Sequence, residues 1–192
     1  MTSPSSFVPA SAHCPQAPSP WIERWRHLLP ANCPVLDLAC GSGRHLRWLA
    51  TNGHAMTGVD RDSAALAGLQ GLGELVCADI ENAPWPLPGR QFGAVVVTNY
   101  LWRPLWPQIL DSVAPGGVLL YETFAQGNEA FGKPSRTDFL LAPGELLQVC
   151  RDWNVVAYEC GQLRQPERVV QRIAAIRPLA SGSAASAACL AP

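Results

Sequence analysis

The most constraining feature of the sequence is an apolar segment that leads directly into two closely spaced glycines. Residues 34–38 read PVLDL, Gly41 and Gly43 follow, and a helical pattern begins at Arg44. A buried strand, a glycine turn and a helix in this order place free backbone N–H groups and the positive end of a helix dipole at the end of the strand. Ligands of open α/β sheets bind at such points, so the segment predicts both a fold class and a ligand site.

The rest of the chain alternates short apolar strands with helical patterns. Helices are predicted over residues 21–29 (with Ser19 as a cap), 44–51, 102–113 and 143–150, and a further helix that carries Leu66 and Leu69 can be capped by Asp62 and Ser63. Further strands are predicted over 54–59, 74–78, 92–98, 118–123, 154–160 and 169–176. The last two strands are joined by a connection too short for a parallel crossover, so they must be antiparallel. The pattern predicts a three-layer, doubly wound, Rossmann-like α/β fold whose seven-stranded sheet is mostly parallel, with one antiparallel C-terminal strand.

The glycine turn does not match a dinucleotide-binding turn. That motif has a third small residue three positions after the second glycine, and Leu46 stands there. Asp37 lies inside the strand, where a carboxylate would repel a diphosphate. It could instead accept N–H groups of the glycine turn or meet a positively charged part of a ligand.

Four segments resemble a known family. VLDLACGSGRH at 35–45 resembles the first motif of class I S-adenosylmethionine (SAM) dependent methyltransferases, and GVDRD at 58–62 resembles the second. CADIENAPWPL at 77–87 and VVVTNYL at 95–101 resemble the third and fourth. The segments follow the order of the family, and each stands at a predicted strand end. The resemblance covers about residues 20–177 and implies SAM as the cofactor.

The resemblance implies roles for individual residues. Asp60 is expected to accept hydrogen bonds from both ribose hydroxyls, with a helix cap as the alternative, and Arg61 to lie along the adenine or in solvent. Asp79 is expected to accept from the adenine amino group, with a simple turn residue as the alternative, and the backbone of Ile80 to meet the ring. The expected cofactor-binding residues are Asp37, Ala39, Gly41, Gly43, Asp60, Arg61, Asp79, Ile80 and Asn99.

A second set of residues is expected to serve the acceptor. Asn99 and Tyr100 would line the methyl-transfer pocket, although Tyr100 could equally be a packing residue. The segment 124–141 is long enough for a lid, and its cations Lys133 and Arg136 could bind an anion or stay in solvent. The expected catalytic residues are Tyr100, Asn99 and Arg136, and candidates for a general base are His45, Tyr100 and Glu122.

The lid region narrows the resemblance. Residues 122–146 and the segment RDWNVVAYE at 151–159 resemble the tellurite-resistance branch of these methyltransferases, small cytosolic proteins thought to methylate selenite, tellurite or other small nucleophiles. The resemblance implies a small, anionic acceptor, either a chalcogen oxyanion or a thiol. RNA or protein as the acceptor is the alternative, and a non-catalytic SAM sensor is a third.

Composition sets outer limits on these interpretations. The chain has 14 basic and 15 acidic residues among 192, which argues against a nucleic-acid partner. All charges lie within 21–177, the expected domain, and we expect residues 1–20 and 178–192 to be disordered tails. We expect no secretory signal and no membrane span, a cytoplasmic location, and a monomer or homodimer.

The seven cysteines include no Cys-x-x-Cys pair, so neither a disulfide framework nor a metal site is expected. Arsenite methylation remains an alternative, but it would require three thiols to converge, such as Cys40, Cys77 and Cys150.

Overall fold

The structure is a computed structural model that describes residues 17–179. Within this range the chain forms five α-helices and seven strands. In chain order they are α1 (Pro20–Trp25), β1 (Pro34–Leu38), α2 (Arg44–Thr51), β2 (Ala55–Asp60), α3 (Ser63–Ala67), β3 (Glu74–Cys77), β4 (Phe92–Thr98), α4 (Trp106–Asp111), β5 (Val113–Phe124), α5 (Glu145–Val149), β6 (Asn154–Arg164) and β7 (Glu167–Ile176).

All seven strands belong to one sheet, in the order β3-β2-β1-β4-β5-β7-β6. The strands β1 to β5 are parallel to one another, and β7 is antiparallel to both β5 and β6. This confirms the predicted doubly wound fold with one antiparallel C-terminal strand. The chain order reverses between β1 and β4, so the carboxyl ends of these two strands form the crevice in which such folds bind ligands.

The central strands are buried on both faces, as expected for parallel strands covered by helices. On β4, Val95 and Val97 belong to one apolar layer, while Ala94 and Val96 belong to the other. Helices α1 and α2 complete the second layer with residues that include Trp21, Ile22, Leu46 and Leu49. This double burial holds the strand ends that carry the motif residues.

The predicted helix over 102–113 and the strand that follows it both differ from the structure. The helix expected over 102–113 is a 3₁₀ turn at Arg103–Leu105 followed by the short α4, because each proline removes a backbone donor. The strand expected over 118–123 begins earlier, at Val113. Residues 114–117 have no partner on β4, because the register of the two strands shifts between Val113 and Val118.

The C-terminal hairpin is longer than predicted. Strands β6 and β7 pair as far as Arg164 and Glu167, beyond the apolar residues that revealed them in the sequence. Backbone pairing continues there without an alternating apolar pattern, which is why the sequence did not indicate it.

The first helix is shorter than expected. Helix α1 ends at Trp25 and is followed by a 3₁₀ turn at Arg26–Leu28, while Ser19 caps its start as predicted.

Most of the expected tails, residues 1–16 and 180–192, lies outside the described residues. Between residues 17 and 179, no helix has the length and apolar character needed to cross a membrane.

Candidate functional site

The glycine turn between β1 and α2 is built from left-handed backbone. Ala39, Gly41 and Gly43 have φ angles of 54°, 53° and 73°. A side chain at Gly41 would point into open space, whereas one at Gly43 would collide with Leu69. Glycine is favoured at position 43 by the left-handed backbone and by the nearby Leu69 side chain, and Gly41 leaves the turn open to an approaching ligand.

Asp37 fixes the start of α2 rather than the glycine turn. It is buried, and its carboxylate accepts a hydrogen bond from the Leu46 backbone N–H at 3.0 Å. Burial raises the pKa of Asp37 to about 7, an effect that the Leu46 N–H and the Arg44 guanidinium partly offset. No other hydrogen bond to its carboxylate is found within the described part of the chain, so the expected contacts with the turn are absent there.

Asp60 links the glycine turn to the end of β2. One carboxylate oxygen accepts from the Gly41 N–H at 2.7 Å, and the other accepts from the Asp62 N–H at 2.9 Å. Since a carboxylate oxygen can accept two hydrogen bonds, each oxygen retains capacity for a ligand hydroxyl. The helix cap is supplied by Asp62 instead, which accepts from the Ala64 and Ala65 N–H groups.

A pocket of about 180 Å³ opens at the carboxyl ends of the central strands. It brings together five of the expected cofactor-binding residues, with three other residues completing its wall. The lining consists of Ala39, Asp60, Arg61, Ala78, Asp79, Ile80, Glu81 and Tyr100. The other four residues expected to bind the cofactor are not among the lining residues, namely Asp37, Gly41, Gly43 and Asn99.

Asp79 shapes the turn that carries Ile80. One carboxylate oxygen accepts from the Glu81 and Asn82 backbone N–H groups at 3.0 and 3.2 Å, and the other accepts from the Asn82 side-chain amide at 2.9 Å. These hydrogen bonds, led by the one from the Asn82 amide, lower the pKa of Asp79. The residue thus remains an ionised acceptor at the mouth of the pocket.

Tyr100 places a phenol at the inner wall of the pocket. Its hydroxyl is buried without a hydrogen-bond partner among residues 17–179. Burial raises the pKa of Tyr100, and the carboxylate of Glu81 raises it further. The side chain is therefore a hydrogen-bond donor rather than a base. Asn99 precedes it in left-handed backbone with φ 54°, and its N–H donates to the Glu122 carbonyl oxygen.

The expected lid cations lie away from the pocket. Arg136 is exposed, donates to Asp138 at 2.8 Å and stacks over Phe139. Lys133 is also exposed. The base of the lid segment is pinned by backbone hydrogen bonds between Leu141 and both Phe124 and Gln126.

Sequence reasoning missed a buried polar cluster beside the glycine turn. Glu122 is fully buried at the end of β5, where it meets Arg168 and Arg172. Ser19 joins the cluster from the chain before α1, because its hydroxyl donates to Glu122 at 3.0 Å. A glutamate within the apolar run VLLYETF was the available signal, and we considered it only as a candidate base.

His45 is held as a neutral imidazole. The Ser19 N–H donates to its Nε2 at 3.0 Å, so its proton is on Nδ1, which lies 3.3 Å from the Thr98 hydroxyl. Burial, together with the nearby Arg44, lowers the pKa of His45 to about 3. Both ring nitrogens are engaged, so this side chain supports the structure rather than removing a proton.

Comparison with known families agrees with this geometry. The model of a family described as a methyltransferase domain matches residues 35–117, which includes the glycine turn, Asp60, Asp79 and β4. This part of the chain is therefore similar to a methyltransferase domain. The resemblance read from the four sequence motifs is thereby confirmed.

The chain is also similar to a named curated protein. The probable S-adenosyl-L-methionine-dependent methyltransferase TehB of Haemophilus influenzae is 26% identical, over 73% of this chain and 54% of TehB. The chain thus spans about half the length of this curated relative. The expected similarity to the tellurite-resistance branch is confirmed at this level.

Solved structures share the fold of this chain. The crystal structure of TehB from Haemophilus influenzae superimposes with a TM-score of 0.66 at 20% identity, covering 82% of this chain and 61% of that one. A SAM-dependent methyltransferase from Methanosarcina mazei gives a TM-score of 0.64 at 17% identity, covering 86% of this chain and all of that one.

The residues of the pocket fit SAM. The lining carries three carboxylates, Asp60, Asp79 and Glu81, against one guanidinium, Arg61. This negative balance suits a ligand that presents a sulfonium, hydroxyls and an amino group, and it disfavours a diphosphate. Tyr100 also lines this pocket, where its phenol is a further hydrogen-bond donor.

Proposed function

We propose that the protein is a SAM-dependent methyltransferase that transfers the methyl group to a small, anionic acceptor. The observation that carries the proposal is the pocket in which Asp60 and Asp79 converge beside an open glycine turn. We assign the cofactor to this pocket and take residues 21–177 as the catalytic domain, acting in the cytoplasm as a monomer or homodimer.

When bound, the cofactor supplies a methyl group on a positively charged sulfur, which is already activated toward displacement. The residues of this chain need to align it and exclude water. Asp60 holds the ribose while its link to Gly41 fixes the turn, and Asp79 with Ile80 positions the adenine. Asn99 and Tyr100 form the side of the pocket toward the acceptor.

The candidate bases argue for an acceptor that arrives deprotonated. His45 uses both ring nitrogens, and the pKa of the Tyr100 phenol is raised. Glu122 is paired with two arginines and buried. None of the three is suited to remove a proton, and a chalcogen oxyanion or a thiolate would need no base. This consideration favours a small acceptor of that kind over one whose nucleophile is protonated.

The sequence left two other kinds of acceptor open, namely arsenite and a macromolecule. Arsenite methylation through three cysteine ligands lacks support, since no group of three histidine, cysteine or acidic residues capable of holding a metal is found across residues 17–179. RNA or protein as the acceptor remains the competing proposal, and the experiment below distinguishes it from a small acceptor.

The test is methyl transfer from labelled SAM to a panel of selenite, tellurite, arsenite, low-molecular-weight thiols, bulk RNA and unfolded protein. We expect label in a volatile or small product with selenite, tellurite or a thiol, and loss of that product with Asp60→Asn. Asp62→Asn is the matched control, because Asp62 caps α3 and does not line the pocket. Label appearing only in RNA or protein would contradict the small-acceptor proposal.

A further inference from the structure

One free edge of the sheet is formed by β6. The strand order places β6 at the end of the sheet, where β7 is its one strand partner among residues 17–179. With eleven residues, β6 is a long edge strand. An edge strand presents unpaired backbone N–H and C=O groups, and proteins commonly protect such edges with lysines, prolines, bulges or a covering segment.

Most of β6 lacks these protective features. A shift of register at Val156 interrupts its pairing with β7, but the pairing is regular from Ala157 to Arg164. The stretch 157–163, which we call the open edge, contains no lysine and no proline. Its one charged side chain is Glu159, which is already ion-paired to two arginines.

The open edge has room for a partner. Cys160, Gly161 and Gln162 are exposed, and a groove of about 550 Å³ is lined by the residues of β6 from Tyr158 to Leu163. A Cβ atom at Gly161 would meet nothing within 4 Å. The described part of the chain therefore leaves space here for the side chains of another strand.

A second copy of β6 fits this edge in antiparallel register. The regular stretch of seven residues is centred on Cys160, so a two-fold axis at Cys160 pairs residues that lie on the same face of the sheet. The pairs across the axis are Ala157 with Leu163, Tyr158 with Gln162, and Glu159 with Gly161, while Cys160 meets its own copy. Apolar residues thus meet apolar residues, the phenol meets an amide, and no like charges are opposed.

The neighbouring registers are less favourable. An axis one residue earlier would oppose the two copies of Glu159, and like charges directly opposite each other are destabilising. An axis one residue later would place Glu159 opposite Leu163. With the axis at Cys160, Glu159 faces a glycine, so its ion pairs with Arg24 and Arg172 meet no competing side chain.

We propose that the protein forms a two-fold symmetric homodimer through the open edge of β6, with the two antiparallel strands paired about Cys160. The two sheets then join into one continuous sheet, and the occupant of the groove is a second copy of this chain. The groove shares no lining residue with the cofactor pocket, so the inference does not depend on the proposed function.

Light scattering after size-exclusion chromatography, at a series of protein concentrations, tests the dimer. We expect the wild type to approach twice the mass of one chain. Cys160→Lys sets two lysines opposite each other on the axis and should raise the dissociation constant of the dimer at least about 10-fold. Cys160→Ser should dimerise as the wild type does. Cys77→Lys is the matched control, because Cys77 is an exposed residue of β3, the strand at the opposite edge of the sheet.

Cross-linking with a short bis-maleimide tests the register. Since the two copies of Cys160 lie opposite each other, we expect a covalent dimer of the wild type and of Cys77→Ser. Cys160→Ser should lose this product. Mass spectrometry of the digested dimer should show the peptide that contains Cys160 linked to itself. This measurement decides the proposal if Cys160→Lys does not fold.

Three results would overturn the proposal. The first is a wild type that stays monomeric at every concentration. The second is a dimer that persists unchanged in folded Cys160→Lys or is lost in Cys77→Lys instead. The third is a cross-linked dimer whose yield does not fall in Cys160→Ser, because the contact would then lie elsewhere on the molecule.

Discussion

At the scale of single residues, the acids of the pocket and the acid of the buried cluster are held in place in different ways. Asp60 and Asp79 follow apolar runs in the sequence, so their position at the sheet's edge follows from local pattern alone. The contacts of Glu122 come from Ser19, Arg168 and Arg172, which are far apart in the chain. Only the order of the strands in the sheet brings those residues together, and no local pattern encodes that.

Asp37 and His45 should leave opposite signatures in the pH dependence of stability. The pKa of Asp37 rises to about 7 on folding, so between about pH 4 and 7 the native state binds more protons and stability falls as pH rises. The pKa of His45 falls to about 3, so between about pH 3 and 6.5 the unfolded state binds more protons and stability rises with pH.

Urea unfolding of Asp37→Asn and the wild type, followed by tryptophan fluorescence, measures the first effect. The stability of the variant relative to the wild type should rise by about 1.4 kcal/mol per pH unit from about pH 4 to 7. His45→Gln should show the opposite trend from about pH 3 to 6.5. A flat difference curve for Asp37→Asn would show that this carboxyl is not shifted by burial.

At the scale of elements, the sequence located strands better than helix ends and loops. Strand β4 occupies Phe92–Thr98, as its unbroken apolar run predicted. The helix near Pro104 and Pro107 was overestimated because apolar spacing persists where backbone donors are missing. The lid segment was recognised by its length, but its attachments depend on residues outside it.

Arg103 provides the main attachment of the lid segment. It forms a two-pronged ion pair with Glu145 at 2.7 and 2.9 Å and donates to the carbonyl oxygens of Asp138 and Leu140. We expect Arg103→Ala to cost about 1–3 kcal/mol of local stability, because Glu145 is mostly buried and loses its partner.

Hydrogen exchange read by mass spectrometry tests this attachment. Peptides that contain the Gln126 and Leu141 amides should exchange faster in Arg103→Ala than in the wild type. The control is Arg151→Ala, which breaks an exposed ion pair with Asp152 and should leave these peptides unchanged. Equal exchange in both variants would mean that the backbone pairing of the segment holds without Arg103.

At the scale of the whole molecule, the sheet topology and the position of the cofactor pocket could be predicted from the order of the strands, helices and motifs in the sequence. Alternating strands and helices specify a doubly wound sheet, and the short last connection specifies its antiparallel strand. Together they bring Ala39, Asp60, Asp79 and Tyr100 to one pocket. The acceptor could not be predicted in the same way, because its binding depends on side chains that come from distant segments of the chain. Arg136, which we expected to bind the acceptor, lies in solvent instead.

Calorimetric titration of SAM into the wild type and Asp60→Asn tests the central claim most directly. The account predicts one site per chain in the wild type and about 10- to 100-fold weaker binding in the variant, since the charged acceptor of the ribose hydroxyls is lost. Asp62→Asn should bind as the wild type does. Absence of SAM binding by the wild type, or equal binding by Asp60→Asn, would contradict it.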